Sequence, residues 1–128
     1  MINKKKILVV EDDADLRHIL VDSLNAEFSY QILEADDGEK AVSMAIEEKP
    51  KLILLDLLLP KLDGFGVLDK IRHSNDSEIS GIKVVVLSNL WSNKDILRAQ
   101  ALKIEEYYVK ANTNLDDVFA KVKQIMAL

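Results

Sequence analysis

The sequence has no cysteine. Disulfides, thiolate metal sites and a cysteine nucleophile are therefore excluded. The absence fits a reducing compartment. Basic residues are in deficit, with a formal net charge of −5. A broad basic patch for nucleic acid is not expected on such a chain. The one basic run, Lys4-Lys5-Lys6, stands directly before an apolar segment and reads as a solvated strand entry. Long hydrophobic runs are missing too. The longest, Leu52 to Leu59, is interrupted by Asp56 and is far too short to span a bilayer. The N-terminus lacks the apolar region of a signal peptide. The expectation is a soluble, cytoplasmic protein with no membrane insertion and no direct nucleic-acid contact. No repeat, linker or low-complexity segment is visible.

What remains is ordinary globular material. The 128 residues are 48% hydrophobic and 30% charged, which suits one domain over residues 1–128 with no second, output domain. Short apolar runs alternate with helical patterns. Ile7–Val10 reads as strand one, and Leu16, Ile19, Leu20, Ser23 and Leu24 keep the spacing of a helix face. Asp13 can cap that helix. Tyr30–Ala35 reads as strand two, Asp36-Asp37-Gly38 as a turn, and Ala41, Met44 and Ala45 as a second helix closed by Pro50. Strand three is Leu52–Leu55, followed by a loop marked by Pro60 and Gly64. Phe65, Leu68 and Ile71 then place a third helix, and His73–Gly81 a polar connector. Strand four is Lys83–Leu87. Ser92 with Asp95 suggests a capping box for a weak fourth helix through Ile96, Ala99 and Leu102. Tyr107–Val109 is strand five. Leu115, Val118, Phe119, Val122 and Met126 give a clear last helix.

Five strand–helix units with all-apolar strands predict an α/β fold. The arrangement is a doubly wound (βα)5 sandwich around a five-stranded parallel sheet of order 2-1-3-4-5, flavodoxin-like in form. In such sheets the functional crevice lies at the carboxyl ends of the strands. Glu11, Asp12 and Asp13 follow strand one, Asp56 ends strand three, Ser88-Asn89 end strand four, and Lys110 ends strand five. Taken singly, most of these have plain explanations. Acidic residues after a strand cap helices, a serine sits in a turn, and a lysine is a solvated charge. Asp56 is different. It lies inside Leu-Ile-Leu-Leu-Asp-Leu-Leu-Leu, where no neighbour offsets its desolvation. It must gain a cation or a lysine from elsewhere in the fold.

Carboxylates converging on one crevice repel one another, and a hard divalent cation with oxygen ligands, Mg²⁺, resolves that repulsion where phosphate is handled. Phosphoryl transfer is governed by positioning and electrostatics. Mg²⁺, the Lys110 ammonium, the Ser88 hydroxyl and backbone N–H groups can share the phosphoryl oxygens, with Asp56 as the nucleophile.

Four segments together resemble the receiver domains of bacterial two-component response regulators. Ile7-Leu8-Val9-Val10-Glu11-Asp12-Asp13 is similar to that family's opening motif, and Leu54–Gly64 to its phosphoacceptor segment. Val86-Leu87-Ser88 matches the hydroxyl strand, and Tyr107-Tyr108-Val109-Lys110 the aromatic-plus-lysine strand. The resemblance implies that Asp56 is the phosphoacceptor. It implies Mg²⁺ ligation by Asp12, Asp56, the Leu58 backbone carbonyl and Glu11, the last through water. It makes Lys110 a phosphoryl contact, Ser88 a moving hydroxyl and Tyr107 the switch aromatic. The donor would be a histidine kinase or histidine phosphotransfer protein. The output surface would be the fourth helix, strand five and the last helix, acting on a downstream protein target as a monomer or a phosphorylation-dependent dimer. Such a chain is a signalling domain, not an enzyme beyond its own aspartyl phosphorylation and dephosphorylation.

Several positions depart from the family pattern. Ala111 follows Lys110 where a proline after a cis bond is usual, and a cis bond to alanine costs about 3 kcal/mol. Leu59 replaces a usual methionine, and Lys103 stands where glycine is common. Leu58, Asn89 and Leu90 flank the site, as tuning positions for acyl-phosphate lifetime. Trp91 is either an interface anchor or a cover for a helix edge. His18 and His73 read as ordinary surface residues. Three other readings compete. A degenerate receiver would act as a phosphorylation-independent binding module. A haloacid dehalogenase-type phosphatase would need an aspartate where Leu58 stands. A flavin binder would need a less acidic loop after strand one.

Overall fold

The computed structural model describes residues 5–27 and 29–127. Lys4 of the basic run lies outside them. Strands β1 (Lys6–Val10), β2 (Gln31–Ala35), β3 (Leu52–Leu55), β4 (Lys83–Ser88) and β5 (Glu106–Val109) form one parallel sheet in the order β2-β1-β3-β4-β5. Helices α1 (Ala14–Glu27), α2 (Gly38–Glu48), α3 (Gly64–Arg72), α4 (Ser77–Ser80), α5 (Asn93–Ala101) and α6 (Leu115–Met126) connect or follow them. The predicted fold class and strand order are those observed.

Strand alternation builds two cores. Ile7, Val9, Leu52, Leu54, Val85 and Leu87 face α1 and α6, where Leu20, Leu24, Val118 and Val122 meet them. Leu8, Val10, Ile53, Leu55, Val84 and Val86 face α2, α3 and α5, where Ala41, Ala45, Leu68 and Ala99 meet them. The central strands are buried on both sides, and each side chain of β3 is at most 1% exposed. Burying each contributes about 2 kcal/mol. The edge strands differ: β2 and β5 carry part-exposed residues, so continuous burial is confined to β1, β3 and β4.

The local signals explain most boundaries. The Asp13 carboxylate accepts from the N–H groups of Asp15 and Leu16, capping α1 as predicted. Lys49 ends α2 in the left-handed region at φ 47°, just before Pro50. Two readings need correction. The Asp36-Asp37-Gly38 turn is a helix cap: Asp37 accepts from the Lys40 N–H, and α2 begins at Gly38. The polar connector holds α4, one turn capped by Asp76.

The capping box at Ser92 is half formed. Ser92 Oγ accepts from the Asp95 N–H at 3.1 Å but donates to the Asp95 carboxylate at 2.7 Å, so the two side chains bond each other. Arg72 locks the far end of this region. Its guanidinium donates to the carbonyls of Ser80, Ile82, Leu102 and Lys103 at 2.7–2.8 Å.

Candidate functional site

Parallel pairing brings the strand ends to one edge, because neighbouring strands all run the same way. Val10 pairs with Leu55, and Leu55 with Val86. Glu11 and Asp56 follow directly, and Ser88, two residues after Val86, ends β4, so the three share a crevice. Glu11 is 2% exposed, Asp56 3% and Ser88 0%. Asp12 is exposed at its rim. Carboxylate oxygens of Glu11, Asp12 and Asp56 all lie within 4.8 Å of one another.

The cation that Asp56 requires comes from the residue that follows β5. Lys110 Nζ lies 2.8 Å from Asp56 Oδ2 and 2.6 Å from Glu11 Oε1. The other oxygens are also held: Leu58 N–H donates to Asp56 Oδ1 and Asp13 N–H to Glu11 Oε2, each at 3.1 Å. Burial pushes the Glu11 carboxyl up to about 6; Lys110 and the Asp13 N–H oppose the shift and the Asp56 charge adds to it. Burial works against the Lys110 charge as well, but the hydrogen bonds to Asp56 and Glu11 outweigh it and raise its pKa.

Lys110 reaches both carboxylates without a proline after it. Its peptide to Ala111 is trans, Lys110–Asn112 form a single 3₁₀ turn, and Thr113 Oγ1 closes that turn on the Val109 carbonyl at 2.6 Å. The rest of the predicted set lies near by. Leu90 N–H approaches Ser88 Oγ at 3.4 Å, and the Tyr107 hydroxyl donates to the Leu90 carbonyl at 2.7 Å. Burial, then the charges of Asp95 and Asp56, push the Tyr107 pKa up, so the hydroxyl stays a donor. Leu58 is 50% exposed and lines an open cleft with Asp12, Leu90 and Arg98. Asn89 is exposed beside it. Trp91 is 75% exposed, so it does not cover a helix edge. His18 and His73 are exposed, as expected.

Sequence reasoning missed two contributors, Arg17 and Arg98, and named a third, Gly64, only as loop punctuation. Arg17 donates to the Glu11 carbonyl at 2.9 Å and pairs with Glu34, fixing the acidic loop from outside. Its place one turn after the Asp13 cap was the available signal. Arg98 stacks over the Phe65 ring at 4.1 Å on the cleft wall. Gly64 packs against the acceptor loop: a Cβ there would meet the Asp56 carbonyl and Leu57 Cα, each at 2.6 Å.

The donor set suits a hard divalent cation. It is all carboxylate oxygen, and Lys110 neutralises only one of its three negative charges. Buried opposed carboxylates also suit a site that handles phosphoryl groups, since the cation offsets charge on both sides.

Residues 7–123 match the family model described as the response regulator receiver domain. The "Probable transcriptional regulator ycf27" of Cyanophora paradoxa is 38% identical over 109 residues, covering 85% of this chain and 43% of the relative. The chain thus spans less than half the length of that relative. The Mn²⁺-bound form of response regulator Rcp1 is 32% identical, with a TM-score of 0.77 over 97% of this chain and 93% of that one. The signal receiver domain of a LuxO repressor protein from Vibrio parahaemolyticus is 26% identical, with a TM-score of 0.84 over 98% and 92% of the two chains. The fold, the acidic strand ends and these matches agree: the chain belongs to the response regulator receiver-domain family of two-component systems.

Proposed function

We propose that Asp56 accepts a phosphoryl group from the phosphohistidine of a histidine kinase or a histidine phosphotransfer protein. The environment of Asp56 carries this reading: a buried carboxylate held by the Lys110 ammonium and the Leu58 N–H, beside two further acids. In the transfer the histidine nitrogen–phosphorus bond breaks, and its electron pair stays on the imidazole. One Asp56 oxygen forms the new bond to phosphorus. Charge in the loose transition state sits on the equatorial phosphoryl oxygens. Lys110 and the Leu58 N–H stand where those oxygens need donors. Hydrolysis later returns the carboxylate and inorganic phosphate.

Glu11, Asp12 and Asp56, with the Leu58 carbonyl, are the residues that would hold Mg²⁺. When bound there, the ion supplies the positive charge that lets an anionic phosphoryl group approach an acidic site. That response regulator Rcp1 has a Mn²⁺-bound form supports a divalent cation as the ligand of such a fold.

Ser88 and Tyr107 form the switch. Ser88 Oγ turns to the phosphoryl oxygens, Leu90 follows, and the hold of Tyr107 on the Leu90 carbonyl changes. The output surface is α5, β5 and α6, read by a downstream protein. Leu97 of α5 and Trp91 just before it are exposed large apolar residues, 64% and 75%. The test is intact-protein mass after incubation with a small phosphodonor, with and without Mg²⁺, for wild type and Asp56→Asn. One Mg²⁺-dependent phosphoryl adduct on wild type alone is expected. No adduct from either the phosphodonor or a phosphorylated kinase overturns the reading in favour of a phosphorylation-independent binding module.

A further inference from the structure

The opposite edge of the sheet has the opposite charge. Here the strands begin, and lysines stand at three of the starts. Lys5, Lys51 and Lys83, with Ile125 and Met126 of α6, line a cavity of about 290 Å³. The register explains why the three strand starts meet. Ile7 pairs with Leu52 and Leu52 with Lys83, while the Lys51 N–H bonds the Lys6 carbonyl and the Lys83 N–H the Lys51 carbonyl. Lys5, two residues before Ile7, faces the same side as Lys83, the side that α6 covers.

Among the described residues, no carboxylate lines this cavity. The neighbouring lysines have partners: Lys6 pairs with Glu48 at 2.7 Å and Lys49 with Asp76 at 2.9 Å. Lys5 donates to the Met126 carbonyl at 3.1 Å, as a cation at a helix C-terminus does. The helix end accounts for that lysine alone. Among the described residues, the ammonium groups of Lys51 and Lys83 have no partner. Among the described residues, these three like charges share one hollow with no acid on its walls, and a carboxylate, Glu78, lies on the adjoining hollow that Lys51 and Lys83 also line.

We propose that this cavity is a second ligand site, for a compact oxyanion with two or more negative charges. The ammonium groups act as point charges on phosphate or carboxylate oxygens, and Ile125 with Met126 forms an apolar wall beside them. Its volume matches about ten waters at liquid density, enough for pyrophosphate or citrate. Occupancy ties the starts of β1, β3 and β4 to the end of α6. Those strands carry Glu11, Asp56 and Ser88 at their other ends, so the ligand stabilises the frame of the acidic site without entering it. The inference does not depend on Asp56 phosphorylation.

The test is thermal unfolding without Mg²⁺, titrating pyrophosphate and, separately, citrate, at ionic strength held constant with sodium chloride. A ligand that binds only the folded state raises Tm along a saturating curve. A saturable rise of several degrees is expected for wild type, with movement of the Ile125 and Met126 methyl resonances. The Lys51→Met/Lys83→Met double variant should lose both effects. Lys51→Arg/Lys83→Arg should keep them, as should Lys70→Met on the exposed face of α3. A response to pyrophosphate alone assigns a phosphate ligand, and a response to citrate alone a carboxylate. No saturable rise in wild type, or an equal rise in the methionine double variant, overturns the proposal.

Discussion

The Tyr107 hydroxyl donates to the Leu90 carbonyl at 2.7 Å, while the Leu90 N–H leans on Ser88 Oγ at 3.4 Å. Leu90 therefore sits between the strand-four hydroxyl and the strand-five aromatic, in contact with both. The first bond is short and half-buried; the second is at the limit of a hydrogen bond and is easily given up. That inequality suits a relay in which Ser88 is recruited elsewhere and Tyr107 feels the change through one residue.

Tyr107→Phe removes the stronger link and leaves the Leu90 carbonyl unpaired. A loss of about 1 kcal/mol is expected, read from urea unfolding. Amide exchange should also quicken over residues 90–93, where α5 begins. An unchanged unfolding midpoint together with unchanged exchange would show that the bond restrains nothing.

Lys110→Met removes the ammonium that both buried carboxylates share. Breaking such a pair from one side leaves charge buried without compensation, at a cost of about 3 kcal/mol. The expected signature is a destabilised metal-free protein that Mg²⁺ rescues in part, because a cation replaces the lost charge. Lys110→Arg should fall between the two. If Lys110→Met is as stable as wild type without metal, Lys110 is not what balances Asp56.

Much of this architecture was legible in the sequence because parallel strands leave a strong trace. The run Leu52–Leu59, which begins as β3, is apolar but for Asp56, and that one break pointed to the crevice. Elements held together at long range left less. Arg72 bonds four carbonyls from two other segments, and Arg17 bonds the Glu11 carbonyl; backbone acceptors have no residue type to betray them. The one-turn α4 is too short for a periodic signal. The Lys110 reach was obscured for another reason. Alanine stands where a proline after a cis bond is usual, yet with a trans peptide the Lys110–Asn112 turn and the Thr113 hydroxyl supply the geometry.

Lys103, just past α5, lies at φ 61°. A left-handed residue with a side chain costs about 1–2 kcal/mol, while glycine is strain-free there but loses more backbone entropy on folding. Lys103→Gly is therefore expected to stabilise by up to about 1 kcal/mol, seen as a rise in Tm. Destabilisation would mean that the lysine side chain makes a contribution larger than its strain.

Leu58 forms an apolar wall of the cleft beside Asp56 and gives its own N–H to Oδ1. Leu58→Asn keeps the backbone donor and adds a side chain that can hold water near the acyl phosphate. Phosphate release should quicken roughly three- to tenfold, about 1 kcal/mol of barrier. A release rate equal to wild type would leave the wall without a protective role.

Gly64 and Gly66 both lie in the first turn of α3, and alanine favours helix at either position by about 1 kcal/mol. Their surroundings reverse that preference at one of them. A Cβ on Gly66 would meet the Leu62 Cδ1, the tip of a side chain that can turn aside. A Cβ on Gly64 would stand 2.6 Å from the Asp56 carbonyl and from Leu57 Cα, which are backbone. Gly64 also donates its N–H to the Leu57 carbonyl at 2.9 Å, so the helix start and the acceptor loop are one rigid unit. Gly64→Ala must push that loop and Asp56 with it, at about 1–3 kcal/mol of overpacking. Phosphorylation by a small phosphodonor should slow markedly in Gly64→Ala and stay near wild type in Gly66→Ala, with circular dichroism confirming that both are folded. Equal rates in the two variants would mean that Asp56 does not depend on the close approach of α3.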